Sequence, residues 1–376
     1  MPRVAFLTNF IPPYQNGVLE CLSRRYDGMR ILLSTPMESN RSWKPEWQGL
    51  DVVVQKTVTL KGRWRHPAGF SEPLAVHMPI DTVQQLKRFS PDVVISGEMG
   101  ARTLLAVLYR KLHSKSRLII WVEVAEPAEH GRGLARRILR KALAKNADAF
   151  VAIGGRAARY LHGLGVDGKK IFQAAYATDV NRFSANGVSR PPGRARTLLY
   201  VGQLIERKGL IPFLEVLSAW ARENQDQSIE FIFAGGGPLA EALERTPAAS
   251  NIKRTFLGVL PYDQLPAVYG NAGILVLPTL ADTWAVVVNE ALAAGLPVLG
   301  SVYAQAVEEL IDEGRNGWRF RADRAEEIYG AIDRMMKTPP DELERMRTRA
   351  RTTALALTPG RVADLVDAAV SACVLT

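Results

Sequence analysis

The segment Leu275-Val-Leu-Pro-Thr-Leu-Ala-Asp-Thr-Trp-Ala-Val-Val-Val-Asn-Glu-Ala-Leu-Ala-Ala-Gly-Leu-Pro-Val298 holds two carboxylates, Asp282 and Glu290, at a spacing of eight positions. An apolar strand ends at Pro278, Asp282 falls in the loop beyond it, and Glu290 stands at the start of a helical stretch. Two carboxylates facing one crevice accept hydrogen bonds from the hydroxyls of a sugar or ribose. Each acid taken singly also suits a helix-capping role, since Asp and Glu favour first turns. A second loop, Leu199-Tyr-Val-Gly-Gln-Leu-Ile-Glu-Arg-Lys-Gly209, leaves a buried strand through Gly202 and reaches Arg207 and Lys208 just before a helix. Backbone N–H groups at a helix start, with two cations, would hold a phosphate group; a solvated Lys-Arg pair capping a turn is the plainer alternative. A third loop follows Ile229-Glu-Phe-Ile-Phe-Ala-Gly-Gly-Gly-Pro238, where Gly235, Gly237 and Ala240 satisfy the G-x-G-x-x-A spacing of dinucleotide binders. That fingerprint belongs to the first βα unit of its domain and needs a ribose-binding acid about 20 residues on. Ile252-Lys-Arg-Thr-Phe256 stands there instead. A glycine loop in close backbone contact with a ligand or a neighbouring turn is the more economical reading.

Such loops need strands to carry them. Val4–Leu7, Ile31–Leu33, Val93–Ile95, Leu118–Val122 and Phe150–Ile153 read as buried strands in the first half, and Thr197–Val201, Ile229–Ala234, Ile274–Leu277 and Pro297–Gly300 in the second. Helical stretches such as Gly209–Glu223 and Asn289–Ala294 separate them. Alternating strands and helices predict α/β architecture with parallel sheets covered on both faces. The length of 376 residues exceeds the ~250–300 at which one core stops growing, so two doubly wound domains are expected. Their predicted limits are 1–185 and 186–360, divided at the polar Gly/Pro stretch 186–196. A terminal helix over Arg361–Val374, within 361–376, is expected to pack back on the first domain. Apolar residues at 47% and charged residues at 23% exclude a disordered or fibrous chain. Two cysteines, Cys21 and Cys373, exclude a disulfide framework or a Cys-rich metal site, which points to a reducing cytoplasm. No run approaches the ~18 apolar residues of a membrane span, and Val4–Leu7 is too short for a secretion signal. The net charge of +10 is unevenly spread: residues 1–185 carry 28 basic and 15 acidic side chains, a net of +13, and the remainder carries 20 and 23, a net of −3. An asymmetry of this kind suggests that one domain engages nucleic acid or a membrane surface.

The segment around Asp282 and Glu290 resembles the donor-binding region of family four glycosyltransferases, retaining enzymes of the GT-B fold. Their pattern is a strand, Pro-Ser/Thr, Glu-x7-Glu, then Ala-x-Ala-x-Gly-x-Pro-Val; here the first acid is Asp282, one carbon shorter. Tyr200-Val-Gly-Gln-Leu-Ile-Glu-Arg-Lys-Gly, Ala234-Gly-Gly-Gly-Pro-Leu, Phe256-Leu-Gly, Thr178-Asp-Val-Asn-Arg-Phe183 and Asp312-Glu-Gly-Arg-Asn-Gly317 match further motifs of that family in order. The resemblance implies that Lys208 neutralises a donor diphosphate, Glu290 binds ribose hydroxyls and Asp282 holds hydroxyls of the transferred sugar. Backbone N–H groups from Thr283 through Trp284 and Ala285 to Val286 would line the sugar pocket, beside Gly202 and Gly235. The family's Arg next to the glycine is Gln203 here, and Arg207 is the expected replacement. Charge builds on the leaving phosphate as the glycosidic bond breaks, and the chain contains no Asp-x-Asp to hold a divalent ion. Activity without a metal or any other cofactor is therefore expected.

In the first half, Phe10-Ile-Pro-Pro-Tyr-Gln-Asn-Gly17 stands where the family has a Gly-rich turn near the donor, and only Gly17 matches. Leu118-Ile-Ile-Trp-Val-Glu-Val-Ala-Glu-Pro-Ala-Glu-His130 aligns with the strand after which many members carry an active-site His. Glu123 stands near that place, followed by Glu126, Glu129 and His130, with Glu98 as a rival after Asp92-Val-Val-Ile-Ser-Gly97. A carboxylate there would take the acceptor proton or stabilise charge on the sugar ring, although loop acids are commonly just solvated. The stretch 132–145 is expected to place Leu134, Ile138, Leu139, Ala142 and Leu143 on one helical face, with Arg136, Arg137, Arg140 and Lys141 outside it. Such a helix suits an anionic membrane, aided by Lys61-Gly-Arg-Trp-Arg65, or a core-facing role with a solvated basic face.

The expected protein is thus a cytoplasmic retaining hexosyltransferase, peripheral on the inner face of the membrane, working in a cleft between its domains. It would use UDP- or GDP-sugar and a saccharide or lipid-linked acceptor. A phosphorylase or nucleotide-sugar epimerase shares the fold, an NAD oxidoreductase lacks its ribose acid, and a nucleic-acid binder lacks a stacking-aromatic series.

Overall fold

The computed structural model describes residues 1–38, 41, 43–45, 47–66, 69–124, 133–184, 187 and 190–374. The chain divides into two units, Met1–Ala177 with Pro359–Thr376, and Thr178–Thr358. The first runs through β1 (Arg3–Thr8), α1 (Pro13–Ser23), β2 (Gly28–Leu33), β3 (Asp51–Val54), β4 (Thr57–Arg65), β5 (Ser71–Pro79), α2 (Thr82–Phe89) and β6 (Val93–Gly97). It continues through α3 (Ala101–Leu112), β7 (Arg117–Val122), α4 (Leu134–Lys145), β8 (Ala149–Ile153), α5 (Gly154–Gly163) and β9 (Ile171–Ala174). The second unit holds α6 (Val180–Ser184), β10 (Leu198–Val201), α7 (Leu210–Glu223), β11 (Ile229–Ala234), α8 (Ala240–Arg245), β12 (Ile252–Gly258), α9 (Leu265–Gly270) and β13 (Ile274–Leu277). It ends with α10 (Val287–Ala293), β14 (Val298–Ser301), α11 (Gln305–Leu310), β15 (Gly317–Phe320), α12 (Ala325–Lys337) and α13 (Pro340–Ala354). Helix α14 (Pro359–Val374) rejoins the first unit and packs against α1, β7, β8 and β9.

Among the described residues each unit has one parallel sheet, in the order β3-β2-β1-β6-β7-β8-β9 in the first and β12-β11-β10-β13-β14-β15 in the second. The chain reverses direction of travel across each sheet where β6 joins β1 and where β13 joins β10, with Leu198 paired to Phe231 on one side and Ile274 on the other. Strands β8, β10 and β13 are buried at every position, which a sheet covered on both faces demands; their sequences are correspondingly apolar runs rather than alternating ones. Phe213, Trp220, Phe231 and Trp318 fill the space between the second sheet and its helices. β4 and β5 stand apart as a two-stranded antiparallel ribbon.

The polar stretch expected as a boundary is more than a solvated connector. Residues 185, 186, 188 and 189 lie outside the described residues, but Arg190 is buried within the second unit. Its Nε donates to the carbonyl of Ala272 at 2.8 Å and its Nη2 to that of Ala294 at 2.9 Å, so one guanidinium satisfies the chain just past α9 and α10. Burial lowers its pKa to about 10, so it remains charged at neutral pH. Arg190→Ala leaves those carbonyls unsatisfied and is expected to cost about 3 kcal/mol. Arg194→Ala, which removes only a surface pair with Glu230, should cost less than about 1 kcal/mol. Equilibrium urea denaturation of the two variants checks this.

Candidate functional site

β10 and β13 are neighbours at the point where the second sheet's order reverses, and in open α/β sheets ligands sit beyond the carboxyl ends of such strands. The loop after β10 tightens into a 3-10 turn over Glu206–Lys208, and the loop after β13 runs from Pro278 to α10. Leu280 N–H and the Thr279 hydroxyl both donate to the Arg207 carbonyl, at 2.8 and 3.1 Å, and Arg207 Nη1 donates to the Ala281 carbonyl at 3.0 Å. Gly209 permits this approach. It takes φ 62, and a Cβ there would fall 2.2 Å from the Pro278 carbonyl oxygen.

The stitched loops bring three expected side chains together. Lys208 Nζ donates to Asp282 Oδ2 at 2.5 Å, and Arg207 Nη1 lies 3.4 Å from the same oxygen. Burial alone would raise the Asp282 pKa, but Lys208, Arg207 and the N–H of Trp284 outweigh it and hold the carboxylate below its usual range. Two cations face one carboxylate, so positive charge is left over for a phosphate.

Glu290 sits differently. It is 4% exposed, and the hydroxyl of Tyr269, itself fully buried, donates to its Oε2 at 2.8 Å. Burial pushes its pKa up to about 7, with the Tyr269 hydroxyl working in the opposite direction. Between the two acids, Ala285 adopts φ 77, a left-handed conformation costly for a residue with a Cβ. Thr283 is exposed and Val286 half-buried. The Trp284 indole is buried and donates to Asn289 Oδ1 at 2.9 Å, and the Trp284 backbone N–H is directed to Asp282. Gly202 and Gly235 meet each other, since a Cβ on Gly235, at φ 153, would lie 1.8 Å from the Gly202 carbonyl oxygen. That glycine loop therefore makes a close contact with the neighbouring turn. The Gln203 carbonyl accepts from the Tyr200 hydroxyl at 2.7 Å.

In the first unit, residues beyond the ends of β1, β2, β6 and β7 converge on Arg102, which is 1% exposed. It donates to the Gly97 carbonyl and to Ser34 Oγ, both at 2.9 Å, and to Asn9 Oδ1. Glu98 lies 4.0 Å from it and is held at φ 71. Glu123 accepts from Trp121 Nε1 at 3.1 Å and from the Tyr176 hydroxyl, and burial raises its pKa. Gly17 is a correction: it lies inside α1 rather than in a turn, where a Cβ would approach Pro359 Cγ to 3.0 Å, so its smallness serves helix packing. Glu126, Glu129, His130, Gly131 and Arg132 lie outside the described residues. Helix α4 also departs from expectation. Arg140 is buried, donating to the Tyr160 hydroxyl at 2.9 Å, and Leu134 and Ile138 are exposed, because Arg140, Leu143 and Ala144 form the inward stripe.

Sequence reasoning missed Arg102, Tyr176 and Tyr269. The hydroxyl of Tyr269 reaches a partner 21 positions away, and no local spacing marks it. Arg102 did leave a signal as the lone charge in the first two turns of the helix Ala101–Leu112.

Residues 182–353 match the profile of the family described as glycosyl transferases group 1. The chain is 24% identical over 312 residues to the sulfoquinovosyl transferase SQD2 of Arabidopsis thaliana, a match covering 75% of this chain and 59% of that protein. It is 25% identical over 336 residues to a GDP-mannose-dependent alpha-mannosyltransferase of Corynebacterium glutamicum, covering 84% of this chain and 76% of that one. Among solved structures, Anabaena HepE in complex with UDP superposes with a TM-score of 0.72 at 14% identity, covering 98% of this chain and 99% of that chain. The fold is thus that of the GT-B glycosyltransferases.

The raised Glu290 pKa carries a prediction for stability. A carboxyl that holds its proton more tightly when folded contributes stability below its unfolded pKa, and that contribution is lost as pH rises through about 7. Wild-type stability should fall by roughly 2–3 kcal/mol between pH 4.5 and 8 from this group, and Glu290→Gln should flatten the curve. Urea denaturation of both proteins across that pH range measures it.

Proposed function

We infer, from the membership of residues 182–353 in the group 1 glycosyl transferases, that this chain moves a sugar from a nucleoside-diphosphate donor to an acceptor hydroxyl. The observation that carries the reading is the Lys208–Asp282–Arg207 cluster at the switch point of the second sheet. As the bond between the sugar C1 and the diphosphate oxygen breaks, negative charge grows on the leaving phosphate, and Lys208 and Arg207 neutralise it without a metal ion. Asp282 and the backbone of the Ala285 turn hold the sugar, and Glu290 accepts from the ribose hydroxyls. The new bond from C1 to the acceptor oxygen forms on the face the phosphate leaves, so anomeric configuration is retained. The UDP complex of HepE and the GDP-mannose dependence in the name of the corynebacterial relative support a UDP- or GDP-sugar donor.

The first unit, rich in basic residues, binds the saccharide or lipid-linked acceptor. Glu123 receives the acceptor proton, its raised pKa making it a better base than an exposed carboxylate, and Glu98 is held beside Arg102 as the second carboxylate. The product belongs to cell-surface polysaccharide or glycolipid synthesis, carried out at the cytoplasmic face of the membrane.

Transfer from radiolabelled UDP- and GDP-sugars to a lipid extract, followed by product NMR, tests the reading. Full turnover in EDTA with the donor's anomeric configuration kept is expected; a strict need for Mg²⁺ or Mn²⁺, or an inverted product, contradicts it. Lys208→Ala and Arg207→Ala should each weaken donor binding tenfold or more. If only Lys208→Ala does so, Arg207 does not replace the family's missing arginine.

A further inference from the structure

The exposed large apolar side chains of this protein are concentrated between residues 54 and 138, on elements of the first unit. The β4–β5 ribbon carries Val58, Leu60, Leu74 and Val76 among them. Its register pairs Val58 with Met78, Leu60 with Val76, Gly62 with Leu74 and Trp64 with Glu72, so these side chains share one face. Ile80 extends that face, its N–H donating to the Lys56 carbonyl at 2.8 Å. Val58, Leu60, Leu74, Val76 and Ile80 are 39% to 67% exposed. The intervening pairs, Lys61 with Ala75, Arg63 with Pro73 and Arg65 with Ser71, put three cations on the opposite face. The ribbon is therefore amphipathic with period two, apolar on one side and basic on the other.

Two further stripes accompany it. Leu104, Leu108 and Leu112 recur at every fourth position of α3 and are all exposed, and Leu134 and Ile138 do the same on α4. α3 packs against both β5 and α4, so it lies beside each of them. An isolated two-stranded ribbon is marginal in water, and an apolar face of this extent is uncommon on a soluble monomer.

The geometry points to an anionic lipid surface as the occupant, with the ribbon lying in the interface plane, its apolar face toward the acyl chains and Lys61, Arg63 and Arg65 reaching lipid phosphates. The charge around the patch carries that choice. The ribbon has Lys61, Arg63 and Arg65 against Glu72, and α4 has Arg136, Arg137, Lys141 and Lys145 with no acid. Long basic side chains on the polar face of an interfacial element extend to phosphate level. A second copy stacked apolar face to apolar face would leave Lys61, Arg63 and Arg65 pointing outward without an anionic partner, whereas lipid phosphates at the interface supply one. The free outer edges of β4 and β5 restrict the ribbon to the hydrated interface, because unpaired backbone groups are not tolerated in hydrocarbon. This deepens the acceptor half of the proposed function by giving the membrane contact a location, and it rests on that reading only for its purpose.

Co-sedimentation of the full chain with vesicles tests it. The protein should pellet with vesicles of one-third phosphatidylglycerol in phosphatidylcholine and not with phosphatidylcholine alone. Leu60→Ser/Val76→Ser and, separately, Lys61→Gln/Arg63→Gln/Arg65→Gln should each lower partitioning tenfold or more, with unchanged melting temperature and unchanged UDP affinity. Ile138→Ser should change partitioning less than threefold. Because Trp64 shares the apolar face, its fluorescence should be quenched by brominated lipid, and Trp64→Phe should remove that quenching. Equal pelleting of wild type and the Leu60/Val76 variant, equal pelleting with neutral vesicles, or no pelleting overturns the proposal. So does a wild-type dimer in light scattering that the Leu60/Val76 variant converts to a monomer. Unchanged UDP affinity separates a failure here from a failure of the transferase reading.

Discussion

A carboxylate enclosed beside two cations organises the functional end of the second sheet. Asp282 is drawn to Lys208 and flanked by Arg207, and the Arg207 carbonyl in turn receives the backbone and hydroxyl donors of the facing loop. Removing one partner of such a largely enclosed pair leaves the other charge poorly compensated, and together with the backbone bonds this holds the loops after β10 and β13 in one arrangement. The second carboxylate, Glu290, is built the other way, among hydroxyls and apolar groups, and its pKa moves up where that of Asp282 moves down. Environments that push two neighbouring acids apart divide their tasks. Asp282 stays ionised and balances charge, whereas Glu290 is suited to exchanging hydrogen bonds with neutral hydroxyls.

Much of this was legible in the sequence. Strands β11 and β13 were predicted to the residue, since strands covered on both faces read as apolar runs, broken in β11 only by Glu230. The loops carrying Asp282, Arg207 and Lys208 were picked out by their position beyond strand ends, but the ion pairing of the three was not foreseen, because it depends on β10 and β13 being neighbours in the sheet. What escaped depends on contacts at a distance. Tyr269 and Tyr176 supply hydroxyls to carboxylates from far along the chain, and Arg190, in a stretch reading as polar linker, is buried by carbonyls from two later helices. The ribbon of β4 and β5 escaped because its apolar and basic residues alternate without an obvious core to face. On α4, hydrophobic periodicity left membrane-facing and core-facing readings open and put Arg140 among the outward cations; the Tyr160 hydroxyl gives Arg140 an interior partner, while Leu134 and Ile138 are exposed.

The uneven charge of the chain acquires a physical meaning from these placements. The half with a net of −3 still offers a local excess of positive charge where Lys208 and Arg207 share Asp282, so attraction of a phosphate there needs no overall basicity. The half with a net of +13 spreads its cations over outer faces, on the ribbon and α4, beside apolar side chains that are exposed among the described residues. Buried Arg102 and Arg140 belong to that total as well, yet they serve the interior of the first unit rather than its surface. Net charge therefore separates into a few placed groups and a broad field, and only the placed groups bear on chemistry.

The central claim is that Lys208 and Arg207 are a phosphate site whose resident counter-ion is Asp282. Calorimetric titration of UDP into the wild-type protein and Asp282→Asn tests it most directly. With the internal carboxylate neutralised, the cations are freed for the ligand, and the account predicts that Asp282→Asn binds UDP at least as tightly as wild type while sugar transfer falls. UDP affinity lost by tenfold or more in Asp282→Asn, with the variant still folded at the assay temperature by circular dichroism, would contradict it.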